Sequence, residues 1–166
     1  MDKKIFIFIV IILVLLGIVA AVEQTAPKAQ TVENLQMPLS APQTYATTTI
    51  TMPKGAIVAQ IADTIVKETQ GLSGRASLPQ GTGMLFVFDS TGPQYMWMKD
   101  MNFPLDMVWL DQNKNVTYVA VDVTPQSYEQ NPPEVFSSPT PASYVIELPA
   151  NDASRLGIVL GVKLNF

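Results

Sequence analysis

Four side chains in this sequence have the mix of chemistry that a binding cleft needs: Arg75, Trp97, Lys99 and Asp106. A guanidinium fork, an indole, an ammonium and a carboxylate gathered in one concavity would suit an anionic or sugar-like ligand. Scattered, the same four are ordinary: Arg75 and Asp106 as an ion pair, Trp97 in the core, Lys99 at a solvated strand end. What the chain lacks limits it more firmly. Histidine and cysteine are both absent, which removes disulfides, Ser-His-Asp triads, Cys or His nucleophile systems, Cys/His zinc sites and imidazole proton shuttles. Any catalysis would run on carboxylates, Lys, Tyr, Ser/Thr or an oxygen-bound metal, and no cofactor is expected.

Two further constellations bear on chemistry. Strand alternation puts Met96 and Met98 on one face and Trp97 on the other, and thioethers can select Cu(I), with Met84, Met101 and Met107 as further ligands. Met at strand spacing is more often packing, so no metal is assigned. Asp100, Asp106, Asp122 and Glu147 offer carboxyls for a glycosidase-like acid and base, whose geometry demands a separation of roughly 5 to 10 Å that sequence does not reveal. A dyad of Ser73 or Ser77 with Lys99 is weaker still, because such hydroxyls usually satisfy loop backbone. No catalytic residue is named, and an enzyme is the less favoured reading.

The elements that must position these residues are mostly strands. Ala56–Ala62 has strand length, Asp63 is placed to cap a short helix over Thr64–Gln70, and Gly71 falls where that helix would end. Gly83–Phe88 is a strand, Asp89–Pro93 a turn, and Gln94–Lys99 a strand folding back as a hairpin. Met107–Asp111 and Val116–Val123 form a second hairpin around Gln112–Asn115. A long Pro-rich loop, Thr124–Pro141, precedes a strand at Ser143–Leu148, a helix at Asn151–Leu156 capped by Asn151, and a closing strand at Gly161–Phe166. The expected fold is α+β: a mostly antiparallel, barrel-like β-sheet with two short helices.

Gln70-Gly71-Leu72-Ser73-Gly74-Arg75, Leu78-Pro79, Gly83-Met84-Leu85-Phe86-Val87-Phe88, Trp97-Met98-Lys99, Pro104-Leu105-Asp106 and Glu147-Leu148-Pro149-Ala150 follow one another in this order. In these segments the chain resembles the domain of unknown function family 192 over roughly Ile57–Phe166. The resemblance implies a small α+β domain with a barrel-like sheet, often exported in bacteria, and implies no reaction. Where that family often has Arg-Gly-Leu-Met this chain has Gln70-Gly71-Leu72-Ser73, and Asn151-Asp152 replaces a common Gly after Leu-Pro-Ala.

Location is read from the N-terminus. Asp2-Lys3-Lys4 precedes eighteen uncharged residues, Ile5–Val22, and such a run as a helix is about 27 Å long, close to a bilayer's hydrocarbon core. Residues 1–22 are therefore expected to be a transmembrane signal anchor, with Lys3 and Lys4 holding the N-terminus cytoplasmic and the remainder extracytoplasmic in the cell envelope. The alternative is secretion after cleavage near Val19-Ala20-Ala21. A lipoprotein is excluded for want of a cysteine. Residues 23–47 read as a Pro/Thr/Gln-rich tether, with the low-period composition running on to Pro53, and residues 48–166 as one domain. From Ile50 onward seven Lys plus Arg face eleven Asp plus Glu, which disfavours nucleic acid. The expected partners are the membrane, through the N-terminal helix, and a small ligand, glycan or envelope protein bound without turnover. A carboxylate-based envelope hydrolase and a purely structural envelope protein are the alternatives.

Overall fold

The computed structural model describes residues 43–166. The expected membrane segment, residues 1–22, and residues 23–42 of the tether lie outside them. Among the described residues no helix is long and apolar enough to cross a membrane.

The first strand arises where the sequence suggested tether. In β1 (Thr47–Met52) Ile50 and Met52 are buried while Thr47, Thr49 and Thr51 face solvent, a period of two carried by β-branched residues that fit a pleated, half-buried surface. Pro53-Lys54 turns the chain into β2 (Gly55–Ala62), which pairs antiparallel with β1 from Met52↔Gly55 to Thr47↔Gln60. The Pro-rich composition conceals this strand, yet Pro53 comes only after its last residue and stands outside the ladder, where no N–H is required.

Helix α1 (Ile65–Gln70) follows, capped by Thr64, whose Oγ1 accepts from the Lys67 amide at 3.3 Å. The neighbouring Asp63 instead forms an i,i+4 ion pair with Lys67 at 2.7 Å. Gly71 ends the helix at φ 49°, a conformation that penalises any Cβ. The chain then crosses back to β3 (Thr82–Gly92), which lies parallel to β2, from Val58↔Thr82 to Ala62↔Phe86. β3 runs straight through Asp89–Thr91, where a turn was expected, and pairs antiparallel with β8 (Ala142–Pro149) across a register shift between Val87 and Gly92.

The expected hairpin of β3 with Gln94–Lys99 does not form. Its strand is only β4 (Tyr95–Met96), and its partner is β7 (Phe136–Ser137), inside the Pro-rich loop. β5 (Leu105–Leu110) and β6 (Val116–Val123) make the second hairpin as read from sequence. The main sheet has the order β1-β2-β3-β8-β5-β6, with β2–β3 its one parallel pair. A mostly antiparallel sheet with two short helices is thus α+β. The second helix is α2 (Asp152–Arg155), whose N-cap Asn151 sits at φ 72° and makes no side-chain capping bond.

The sheet does not close into a barrel. Its edges are β1 and β6, and residues 161–166, expected as a closing strand, form no strand: they make isolated bridges, Thr51↔Asn165 and Asn115↔Lys163, and pack Leu164 into the core. Alternation along the central strands divides the core in two. One face packs Ile50, Ile57, Leu85, Val108, Ile146 and Leu148 with Ala153 of α2 and the adjoining Leu156. The other carries Met84, Phe86, Leu105, Met107, Trp109 and Val145 against Leu72, Met96 and Met98.

Candidate ligand-binding cleft

The second face holds a cleft of about 150 Å³. Its construction begins at Gly71, which swings the chain off α1 so that Leu72 is buried and Ser73 reaches the turn after β4. Ser73 Oγ donates to the Lys99 carbonyl at 2.8 Å, the Gly74 amide to the Asp100 carbonyl at 2.8 Å, and Asn102 Nδ2 to the Arg75 carbonyl at 2.9 Å. Gln70 Nε2 closes the loop on the Ser73 carbonyl at 3.1 Å. Two segments distant in sequence, Gln70–Arg75 and Trp97–Asn102, are thereby locked together by one backbone amide and two side chains that donate to main-chain carbonyls.

Between them lie Glu68, Thr69, Gln70 and Ser73 on one wall, Tyr95, Met96, Trp97 and Met101 on another, Phe86 and Phe88 from β3, and Glu147 from β8. The Phe86 and Phe88 rings stack with centroids 6.3 Å apart. Trp97 and Tyr95 stay 41% and 58% exposed. The contrast with Trp109 is informative: that indole is fully buried and donates Nε1–H to the Gln94 carbonyl at 2.9 Å, as core Trp does. Trp97 is spent on no core.

Glu147 is the unusual group. It stands on the central strand β8 between Met84 of β3 and Met107 of β5, is 4% exposed, and its Oε2 has no hydrogen-bond partner. Burial among these apolar neighbours pushes its carboxyl up to about 8, with the Arg75 guanidinium pulling the other way. At neutral pH it is a protonated acid, able both to donate and to accept. Glu68 at the rim is also raised, by burial first and by the charges of Asp89 and Asp63. A buried, unpaired carboxyl makes the cleft a candidate functional site, since burying it without a partner costs the fold free energy.

The four residues singled out from sequence fall in four places. Trp97 forms a cleft wall. Arg75 lies beside the cleft, in a separate recess with Leu78, Pro79 and Gln60, its guanidinium 5.7 Å from the centroid of Tyr45. Lys99 contributes its carbonyl to the Ser73 anchor and is exposed. Asp106 is fully buried on the opposite face of the sheet, where Oδ1 accepts from the Asp122 amide and Oδ2 from the Ala153 amide, both at 2.9 Å. Among the described residues the ion pairs are Lys67–Asp63 and Arg155–Asp152, and Arg75 and Asp106 do not meet. Met96 lines the cleft and Met98 is buried in the core beneath it. Of the carboxylates, Glu147 and Glu68 share the cleft, a pairing that sequence did not suggest; the available signal was a lone acid in the otherwise apolar run of β8.

The arrangement can hold a compact ligand between aromatic walls and present it to carboxyl groups. Among curated proteins none matches the chain. Two solved structures share the fold: a putative transcription regulator from Sinorhizobium meliloti 1021, 28% identical with a TM-score of 0.68, the match covering 75% of this chain and 97% of that one, and a protein of unknown function from Novosphingobium aromaticivorans DSM 12444, 26% identical with a TM-score of 0.64, covering 78% and 89%. The family model described as Uncharacterized ACR matches residues 44–166, from just before β1 to the last residue. The chain belongs to that family, DUF192.

Proposed function

We propose that this protein is a membrane-tethered, extracytoplasmic module that binds a small ligand in the Glu147–Trp97 cleft without turning it over. One observation carries the binding reading: segments far apart in sequence are locked around an aromatic-walled cavity whose most buried polar group, Glu147 Oε2, has no partner in the fold. The uncharged run Ile5–Val22 behind Lys3-Lys4 supports the tether and the orientation. A role in nucleic-acid binding, which the name of the Sinorhizobium protein would suggest, runs against the excess of acidic residues from Ile50 onward.

The test is a thermal-shift screen of the full chain in a non-ionic detergent against sugars, wall fragments, small anions, amines and metals. A ligand at 100 times its dissociation constant stabilises by about 2.7 kcal/mol. A shift lost in Trp97→Ala and altered in Glu147→Gln supports the cleft; a screen in which every shift survives both changes overturns it. One observation favours hydrolysis as the second reading. Glu147 is protonated at neutral pH, as a general acid must be, and Glu68 shares its cleft. Release of reducing sugar from cell-wall glycan, abolished in Glu147→Gln, is the result that reading requires.

A further inference from the structure

The chemistry of the cleft lining narrows the ligand class, an inference that rests on the binding reading above. Every charged side chain in the lining is acidic: Glu68 and Glu147 contribute carboxyls, and among the described residues no Lys or Arg lines the cavity. Around those carboxyls stand four aromatic rings, Phe86, Phe88, Tyr95 and Trp97. The rims of Tyr95 and Trp97 are open to solvent. An anion entering would meet like charge and the negative faces of the rings. A cation would meet the opposite of both. We infer that the cleft binds a small organic ammonium ion, held over the ring faces with its charge directed at Glu147.

The groups facing Glu147 agree with that assignment. Its sheet neighbours Met84 and Met107 are uncharged, and so is Phe86. Glu68 comes from α1, Tyr95 from β4, and Arg75 acts on it from the loop after α1. Arg75 lies in the neighbouring recess against Tyr45 and forms no ion pair with Glu147, so the carboxyl remains available. Transferring an ammonium from water to a cavity of this size requires compensation for its lost hydration, and cation–π contacts with a desolvated carboxylate supply it. The carboxylate benefits equally: a bound cation gives Oε2 a partner and draws the proton off Glu147. Binding therefore releases a proton, and the site discriminates charge rather than shape.

The probe is choline, titrated into the full chain in a non-ionic detergent and followed by calorimetry, beside its uncharged carbon isostere 3,3-dimethylbutan-1-ol. With Glu147 at about 8, choline affinity should rise about tenfold between pH 7 and pH 9, because the binding form of the site grows from a minor to the major fraction. The isostere should bind at least tenfold more weakly and without that pH dependence. Glu147→Gln should flatten the choline profile, and Trp97→Ala, at a partly exposed position, should weaken choline at every pH. Phosphocholine separates two sources of the same head: equal binding points to a lipid headgroup, and loss caused by its phosphate beside Glu68 points to a free amine. If the isostere matches choline, or any ligand tightens as pH falls, the ammonium assignment is overturned while the cleft stands. If choline, the isostere and every class in the thermal-shift screen leave the protein unmoved, both readings fall together.

Discussion

Two buried carboxyls, Asp106 on β5 and Glu147 on β8, stand on adjacent strands one register step apart, since Asp106 pairs with Leu148 and Met107 with Glu147. That single step puts them on opposite faces of the sheet, and their surroundings differ completely. Asp106 has both oxygens saturated by main-chain amides, one holding the strained Asp122, at φ 51°, in β6 and the other fixing the start of α2. Glu147 has an oxygen with nothing to bind. Burial of an acid thus says little until its partners are counted: one carboxyl is a structural pin and the other is free to meet a ligand.

The comparison can be broken by mutation, and the largest effect is expected at the pin. Asp106→Ala leaves two amides without acceptors, at a cost of about 3 kcal/mol or more, measurable as a lowered midpoint in urea with an unchanged m-value. Next is Gly83→Ala, because a Cβ there would lie 2.8 Å from the Glu147 carbonyl oxygen and 2.9 Å from Ile57 Cδ1. Forcing β3 from β8 should cost about 1–3 kcal/mol and loosen the cleft floor, so ligand response and stability should fall together in the same melts.

Glu147→Gln should do the reverse of Asp106→Ala. The folded carboxyl titrates near 8 against an ordinary value of 4.5, so the folded state binds the proton more tightly than the unfolded one. The contribution of this one group to stability is accordingly fully present below about pH 4.5 and is lost as pH rises to about 8, by an amount on the order of a few kcal/mol. The Gln variant should lose that slope and exceed the wild type at pH 9; a wild-type curve that is flat from pH 5 to 9 contradicts the assignment. The smallest effect belongs to Trp97→Ala, expected to change stability by less than about 1 kcal/mol because the ring is partly exposed, while removing ligand-induced stabilisation in a thermal-shift assay.

How much of this is legible in the sequence follows from where local sequence decides structure. The second hairpin, α1 and its terminating Gly71, and β8 are written in period and caps, and the structure has them. β4 eludes a local reading because its partner lies some forty residues away, in a loop where the nearest prolines, Pro132, Pro133 and Pro139, flank rather than interrupt the short strand Phe136–Ser137. The site is legible in part. Trp97 sits in a recognisable segment, whereas Asp106 attracts notice as a carboxylate although its value lies in two main-chain amides that no pattern announces. Glu147 is one of four carboxyls the sequence offers for an acid and base, and the strand order singles it out, since its burial depends on β3 and β5 flanking β8.

The bridge between Thr51 and Asn165 has a kinetic meaning. The Thr51 amide donates to the Asn165 carbonyl at 2.9 Å and the Asn165 amide returns the bond to the Thr51 carbonyl at 3.3 Å, joining the first strand to a residue near the far end of the domain. A contact of that separation forms late, after the loop-closure entropy of the whole domain has been overcome. Until Asn165 docks, the outward amide and carbonyl of Thr51 have no intramolecular cover, and this end of the β1 edge can template pairing with another chain. The docking of the segment around Asn165 thus shortens the stretch of β1 open to edge-to-edge association.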